Sequence, residues 1–286
     1  MNNPKRDGLP VNTILILILI LVVVLLVVLV TCQRQKDERT GSPTAAPSNH
    51  TIDTAALTGL QVPAIKKDDE IVQHTGYTLC YRDANRQAAW VAYVATSAHE
   101  QAQHVNRNNQ FEPDPLLRTQ LAGNEDYEGS GYDRGHLAPA EDMGWSGKTM
   151  SESFYYSNMS PQLPAFNRGV WKRLEELVRY WSTIYDSIYV VTGPVLTPGL
   201  PSIGPDHVSV PAWFYKVVLV YNAKGARAVG FLLPNQASAA TLRKFALPVD
   251  SIEQHTGLDF FPRLPDDVEN DIESKVDAGA WKWTRN

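Results

Sequence analysis

The feature that most constrains this chain is an unbroken apolar run at residues 14–30, close to the N-terminus. Its length reaches the lower end of the roughly 17–25 residues that a helix needs to cross a bilayer. A short polar segment at residues 1–12 precedes it and carries Lys5 and Arg6. A buried core strand or helix is a poorer interpretation, because a run this long and uniform leaves no polar face for water. We therefore predict one transmembrane anchor at residues 13–32.

Cleavage after the apolar run is the alternative to a permanent anchor. A signal peptide usually has an apolar region of about 7–15 residues followed by a small-residue cleavage site, and no such site directly follows this run. Residues 29–32 (LVTC) faintly resemble a lipoprotein cleavage box, with Thr31 where a smaller residue is expected. Lipidation of Cys32 therefore stays open beside the preferred single-pass anchor.

A polar segment at residues 33–58 follows the apolar run and is rich in Ser, Thr, Pro and Ala. This composition with little apolar periodicity is typical of a flexible linker. The remaining residues, 59–286, are enough for one large domain or two small ones. The two cysteines, Cys32 and Cys80, provide neither a disulfide framework nor a cysteine-rich zinc site. We predict one globular domain at residues 59–286.

Strand-forming residues dominate much of this domain. Residues 75–81 and 88–94 flank a polar turn at 82–86, which predicts a β-hairpin. The same reasoning applied along the rest of the domain predicts strands at 187–192, 214–221 and 226–233, and helices at 239–245 and 249–256.

One amphipathic helix is predicted between residues 167 and 184, where apolar side chains recur every three or four positions. Asn167 lies at its start, where an Asx side chain can cap free backbone N–H groups. Glu175 lies two turns further on, about 80° around the axis at 100° per residue. A charged side chain on an exposed helix face is the ordinary interpretation of Glu175.

The chemistry-bearing residues cluster around residues 132–139, which read YDRGHLAP. His136 can accept a proton near neutral pH, because an unperturbed histidine has a pKa of about 6.5. Arg134 offers a planar donor fork that suits a phosphate. The amide of Asn167 and the carboxylate of Glu175 suit a hard cation such as Mg²⁺, which keeps several waters. Together these groups indicate metal-assisted cleavage of a phosphodiester.

These residues resemble the DNA/RNA non-specific endonucleases of the ββα-metal class, and within them the endonuclease G-like group. The resemblance continues at residues 126–131 (DYEGSG), 157–162 (SNMSPQ), 191–194 (VTGP) and 207–211 (HVSVP). It spans about residues 76–264. It implies an α+β fold with a central antiparallel-rich sheet and a site formed by a strand, a loop and the helix that begins at Asn167.

The resemblance also implies hydrolysis of DNA and RNA without strong sequence preference, leaving a 5′-phosphate and a 3′-hydroxyl. His136 is expected to act as the general base, and Arg134 to hold the phosphate or support the site. Asn167 is expected to bind one Mg²⁺, for which Mn²⁺ can substitute. Glu175 is expected to orient a water on that ion.

The net charge of the chain is compatible with a nucleic-acid partner but does not by itself predict one. The formal net charge is −5, whereas nucleic-acid-binding domains more often carry a basic surplus. Local charge matters more, and we expect Arg107 and Arg168 to contact the substrate. The expected partners are therefore DNA and RNA, together with the membrane, and the chain could also form a homodimer.

Two other functions compete with the nuclease. A membrane-tethered nucleic-acid receptor, for uptake or capture, would keep the fold and lose the chemistry; the intact His136, Asn167 and Glu175 argue against it. A phosphodiesterase for small nucleotides would cleave a chromogenic diester well and long DNA poorly.

The flanking charges do not decide which side of the membrane the domain faces. Lys5 and Arg6 precede the apolar run, and three basic residues follow it within residues 33–39, which slightly favours a cytoplasmic domain. However, a short basic segment followed directly by an apolar run resembles a signal-anchor, which exports the rest of the chain. A nuclease that contacts only backbone would also attack the cell's own nucleic acids in the cytoplasm. We expect the domain to face away from the cytoplasm, on the periplasmic or extracellular side.

Overall fold

The structure, a computed structural model, describes residues 59–118 and 122–284. The predicted polar segment at 1–12, the anchor at 13–32 and the linker at 33–58 lie outside the described residues. Within the described part, no helix combines the length and the apolar character needed to cross a bilayer.

A seven-stranded sheet forms the centre of the domain, and every pair of neighbouring strands in it is antiparallel. Two further pairs of short strands lie outside this sheet. The strands are β1 (Glu70–Gln73), β2 (Thr78–Arg82), β3 (Gln87–Thr96), β4 (Asp133–His136), β5 (Met159–Gln162), β6 (Ser187–Pro194), β7 (Ser202–Ile203), β8 (Val208–Ser209), β9 (Trp213–Asn222), β10 (Gly225–Pro234) and β11 (Ala246–Leu247). The order in the large sheet is β1-β2-β3-β6-β9-β10-β11, whereas β4 pairs with β5 and β7 with β8.

Helices cover both faces of the large sheet. The α-helices are α1 (Ser97–Gln101), α2 (Asn124–Tyr127), α3 (Gly147–Glu152), α4 (Lys172–Tyr185), α5 (Val249–Thr256) and α6 (Asp266–Glu273). Short 3₁₀ helices cover Asp83–Asn85, Tyr156–Asn158 and Leu242–Phe245, and a π-helix covers Phe166–Trp171. The predicted α+β class and central antiparallel sheet are therefore confirmed.

Two apolar cores lie on opposite sides of the sheet, because successive side chains of a strand point to opposite faces. In β3, Val91 and Tyr93 belong to the core that also contains Trp181 of α4. Trp90 of the same strand belongs to the other core, which also contains Ile252 of α5. Strands buried on both faces explain the nearly continuous apolar runs in the sequence.

The predicted strands are all present, and the hairpin between β2 and β3 forms with the 3₁₀ turn Asp83–Asn85 at its tip. The helix predicted at 249–256 is also present. The helix predicted at 239–245 is wrong, since only the 3₁₀ turn Leu242–Phe245 forms there. The backbone is extended at Thr241 (φ −66°, ψ 143°) and again at Ala246–Leu247, which pairs with β10, so only a short turn fits between them.

The helix predicted from Asn167 to Ile184 is also only partly right. Its body is α4, but its first part is the π-helix Phe166–Trp171, within which Gly169 leaves helical values at φ −110° and ψ −107°. A π-helical turn is wider than an α-helical turn and often occurs at functional sites. The angle of about 80° between Asn167 and Glu175, which assumed a regular α-helix, therefore does not hold.

The small β4–β5 pair and the π-helix both belong to one long insertion. Strands β3 and β6 pair with each other in the large sheet, with Thr96 opposite Ser187. Residues 97–186, which connect them, contain β4, β5, the π-helix and α4. The insertion therefore brings two antiparallel strands and a helix together on one side of the sheet.

Candidate active site

All six predicted site residues line a single cavity of about 300 Å³. The structure therefore brings these six residues together, while their individual roles stay predictions. The cavity is lined by Arg107, Arg134, His136, Pro139, Ala140, Glu141, Asn167, Arg168, Lys172 and Glu175.

The position of His136 at the end of β4 is fixed by the facing strand and by one buried amide. His136 stands opposite Met159 in the β4–β5 ladder. The next peptide N–H, that of Leu137, donates to the carbonyl of Asn158 at 3.0 Å. The Asn158 side chain then accepts from the N–H of Ala138 and donates to its carbonyl, both at 2.9 Å. Because Asn158 is fully buried, these bonds hold the backbone after His136 rigidly.

The imidazole of His136 lies in an apolar and cationic environment. Only 9% of the residue is exposed, and the ring packs edge-on against Phe154 with centroids 4.8 Å apart. Its Nε2 atom is buried and has no hydrogen-bond partner among the described residues. Burial, and secondly the charge of Arg107, lowers the pKa of His136 to about 3. The ring is therefore neutral at physiological pH, which is the form that can accept a proton.

Asn167 is held by Asp133, a residue for which the sequence predicted no role. The Asn167 Nδ2 donates to Asp133 Oδ2 at 2.9 Å. Arg168 donates to the same carboxylate through Nε at 2.9 Å and through its terminal nitrogen at 2.6 Å. No side-chain capping bond occurs at the start of the π-helix, so Asn167 is not a helix cap. Its NH₂ group is turned to Asp133, and its carbonyl oxygen is the atom left for a ligand.

Glu175 is buried rather than exposed, which contradicts the ordinary interpretation of a charged helix residue. Burial raises its pKa above the usual value, and Lys216 provides the largest opposing effect. Lys216 of β9 is itself fully buried, and its Nζ has no hydrogen-bond partner within the described ranges. That nitrogen lies 4.9 Å from the ring centroid of Trp171, which provides a cation–π contact.

A buried ion pair lies beside Glu175. Arg179, four residues further along α4, donates to Asp142 at 2.6 Å and lies 3.5 Å from Glu141. The hydroxyl of Tyr93 donates to the same Asp142 at 2.8 Å. Asp142 and Arg179 are 37 residues apart in the chain, so no local spacing in the sequence indicated this pair.

The remaining two arginines lie on aromatic rings at the rim of the cavity. The guanidinium of Arg134 lies 5.0 Å from the Phe111 ring centroid and also hydrogen-bonds Asn124. Arg107 lies 5.0 Å from the Phe154 centroid and is exposed. A contact of this kind restrains an arginine while leaving donors free for an anion.

The cavity is electropositive although the whole chain is acidic. Four basic side chains line it, against the two carboxyls of Glu141 and Glu175, and burial raises the pKa of Glu175. A concentration of positive charge in a cleft attracts an anionic substrate, whatever the net charge of the chain. The local charge therefore suits a phosphate backbone.

The same residues fit a hard divalent cation. Asn167 presents an amide oxygen, and Glu175 adds a carboxyl on the same cavity wall. Oxygen donors of this type, few in number and completed by water, are what Mg²⁺ and similar ions prefer. The cavity residues include neither a cysteine nor a second histidine, so the ligands favoured by Zn²⁺ are not gathered there.

Comparison with known proteins agrees with this geometry. Residues 59–267 match the family described as DNA/RNA non-specific endonuclease. Mitochondrial endonuclease G from Homo sapiens is 35% identical over 209 residues, covering 68% of this chain and 70% of the relative. A nuclease from Syncephalastrum racemosum is 36% identical over 233 residues, covering 72% of each protein.

A solved structure shows the same fold. In the crystal structure of the EndoG/EndoGI complex, the matching chain aligns with a TM-score of 0.67 at 33% identity. The alignment covers 72% of this chain and 90% of that chain. Fold, cavity and relatives agree, and the chain belongs to the DNA/RNA non-specific endonucleases, a family of metal-dependent nucleases that hydrolyse phosphodiester bonds.

Proposed function

We propose that this protein cuts DNA and RNA internally, without strong sequence preference, using His136 as the general base and one Mg²⁺ held by Asn167. The observation that carries the proposal is a neutral, buried His136 in the wall of an electropositive cavity that also presents the Asn167 oxygen. Base, cation ligand and phosphate-binding arginines are the parts that phosphodiester hydrolysis needs.

His136 would take the proton from the attacking water. A base must be unprotonated before the reaction, and the lowered pKa of His136 satisfies this condition. The rigid backbone bonds to Asn158 fix where the ring points, which reduces the entropy lost on reaching the transition state. A positioned base of this kind contributes typically about 10²–10⁴-fold to the rate.

The arginines would bind the substrate through its backbone. Arg134 and Arg107 are restrained on aromatic rings, and Arg168 is restrained by Asp133, so all three present donors at the cavity. Contacts to phosphate oxygens position a nucleic acid without reading its sequence. This supports cleavage of both DNA and RNA.

Asn167 would hold the Mg²⁺, or Mn²⁺ in its place, and Glu175 would orient a water bound to it. The ion, when bound, supplies positive charge to the phosphate and to the leaving oxygen. Asp133 keeps the Asn167 amide in the orientation that offers its oxygen. Lys216 favours the ionised form of Glu175, which is the form that accepts a hydrogen bond from water.

A plasmid-nicking assay with His136→Ala tests the assignment. The variant should bind DNA with unchanged affinity and lose about 10²–10⁴-fold in cleavage rate. His255→Ala, a substitution of an exposed histidine on α5, is the matched control and should keep full activity. Retention of more than about a tenth of the wild-type rate by His136→Ala would contradict the role of general base.

The same assay separates the competing functions. A wild-type chain that binds plasmid in Mg²⁺ but never nicks it would be a tethered receptor. A chain that cleaves bis(p-nitrophenyl) phosphate much faster than plasmid would be a small-nucleotide phosphodiesterase. Nicking of both plasmid and RNA, abolished by chelation and restored by Mg²⁺, is the expected result.

We further propose that residues 13–32 anchor the enzyme in a membrane and that the catalytic domain lies outside the cytoplasm. The apolar run at 14–30 and the basic residues before it support this arrangement. Fusion of alkaline phosphatase after Asn286 should give an active phosphatase, and fusion of a fluorescent protein at the same point should give no cytoplasmic fluorescence. The opposite pair of results would place the domain in the cytoplasm.

A further inference from the structure

Three carboxylates converge between α5 and α6, on the helices that cover the sheet face bearing Trp90. Asp250 and Glu253 are three residues apart on α5 and so share one face of that helix. Glu273 is the last residue of α6. One oxygen of each carboxylate lies within 4.8 Å of one oxygen of each of the other two.

No hydrogen bond among the described residues accounts for the burial of Oε1 of Glu273. The residue is only 4% exposed, and its Oε1 atom is buried without a hydrogen-bond partner among residues 59–118 and 122–284. Glu253 is held in place, because its Oε1 accepts the N–H of Phe260 at 2.7 Å. An unpaired buried carboxylate is costly, so a cation or a proton bound to Glu273 would stabilise the fold.

The surroundings favour a partner of positive charge. After burial, the largest effects on Glu273 come from Glu253, Glu269, Asp250 and Asp259, and all of them raise its pKa, to about 9. Each of these neighbours is an acid, so the repulsion among them is relieved only by something that the cluster binds.

We propose that Asp250, Glu253 and Glu273 form a structural Ca²⁺ site that joins α6 to α5. Ca²⁺ takes six to eight oxygen ligands in a flexible geometry, including carboxylates and water. Asp250 and Glu253 are partly exposed, which leaves room for water ligands, whereas Glu273 provides the buried side of the site. None of the three lines the nuclease cavity, so this site is distinct from the one at Asn167.

Thermal unfolding of the full chain tests the proposal, with CaCl₂ compared with EDTA. For a Kd of about 10⁻⁴ M, about 10 mM Ca²⁺ should raise Tm by about 5–10 °C in a domain of this size. Glu273→Gln, which keeps the shape and removes the charge, should abolish that shift. Asp250→Asn should reduce it as a second, independent variant.

Two controls separate this site from other binding. Asn167→Ala alters the proposed nuclease metal site and should keep the whole Ca²⁺-dependent shift. Asp271→Asn makes the same charge change at an exposed position of α6 and should also keep it. Calorimetric titration of CaCl₂ into Asn167→Ala should show one bound ion, and into Asn167→Ala with Glu273→Gln none.

The opposite outcomes overturn the proposal. If the wild-type chain shows no Ca²⁺-dependent shift, the cluster binds a proton rather than a cation. If Glu273→Gln keeps the shift, Ca²⁺ binds elsewhere.

Discussion

When the pH changes from 7 to 5, His136 should remain in its neutral form and so remain available as a base. An ordinary histidine would be largely protonated at pH 5. The prediction concerns kcat/KM, which reports the ionisation of the free enzyme. Burial against Phe154 and the charge of Arg107 both disfavour the imidazolium and lower the pKa of His136 to about 3.

The magnitude follows from these values. With a pKa of about 6.5, the neutral fraction would fall from roughly 76% at pH 7 to roughly 3% at pH 5, about 25-fold. With a pKa of about 3, it stays near 99% at pH 5. Any decline of kcat/KM at acidic pH should instead come from Glu175. Burial raises the pKa of Glu175, and this carboxylate loses its charge as the pH falls.

The assay is initial-rate cleavage of a fluorogenic oligonucleotide at saturating Mg²⁺, with the wild type and Glu175→Gln measured between pH 5 and 8. The Gln variant should be slower than the wild type and should give a flat profile. A decline of about 25-fold centred near pH 6.5 in that variant would refute the reasoning, because it would show an unshifted histidine.

Folding must be monitored in the same experiment. Below pH 6.5 His136 binds a proton in the unfolded chain but not in the native chain, so the free energy of unfolding falls as the pH falls. The loss amounts to about 2 kcal/mol at pH 5 and grows until the folded pKa is reached. Circular dichroism at each pH therefore accompanies the rates.

Three further substitutions test the rest of the site. Asn167→Ala should raise the Mg²⁺ concentration for half-maximal activity by about tenfold or more, because the amide oxygen is the proposed direct ligand; tightly bound stoichiometric Zn²⁺ in the purified protein would contradict this. Lys216→Met should lower kcat by about tenfold or more and leave KM unchanged, since Glu175 then loses its opposing cation; an unchanged kcat would show that Lys216 only fills space. Gly135→Ala should lower the free energy of unfolding by about 1–3 kcal/mol, because the new Cβ would lie 2.2 Å from a side-chain carbon of β5. Gly147→Ala, where a Cβ meets nothing within 4 Å, is its control in urea denaturation and should show little change.

The sequence predicts the strands of this fold well because they are long and apolar. It also predicts six of the ten residues that line the cavity, since most of the six belong to the motifs around His136 and Asn167, which the β4–β5 pair and the following helix bring together. The strands could be predicted because their apolar runs are local patterns. The cavity residues could be predicted because their motifs resemble those of a known family.

The contacts that support the site are not local and could not be predicted in the same way. Asp133 reaches Asn167 across 34 residues of sequence, and Lys216 acts on Glu175 from β9 of the central sheet. The only signal for Lys216 is a lone charge inside an apolar strand, which is unusual for a strand buried on both faces. The π-helix departs from helical backbone angles at Gly169, whereas a periodicity of apolar residues assumes a regular helix.

The insertion of the cavity residues between two paired strands also determines when the enzyme can become active during its own synthesis. All ten residues that line the cavity lie in the stretch from Arg107 to Glu175. However, β3 can pair only after β6 has been synthesised, and β6 can complete its pairing only after β9 has been synthesised. At about 5–20 residues per second, the ribosome needs roughly 2–10 s to proceed from Glu175 to Asn222 at the end of β9. Pairing across so long a loop adds further delay. A nascent chain therefore carries all ten cavity residues for seconds before the strands that support the insertion can pair.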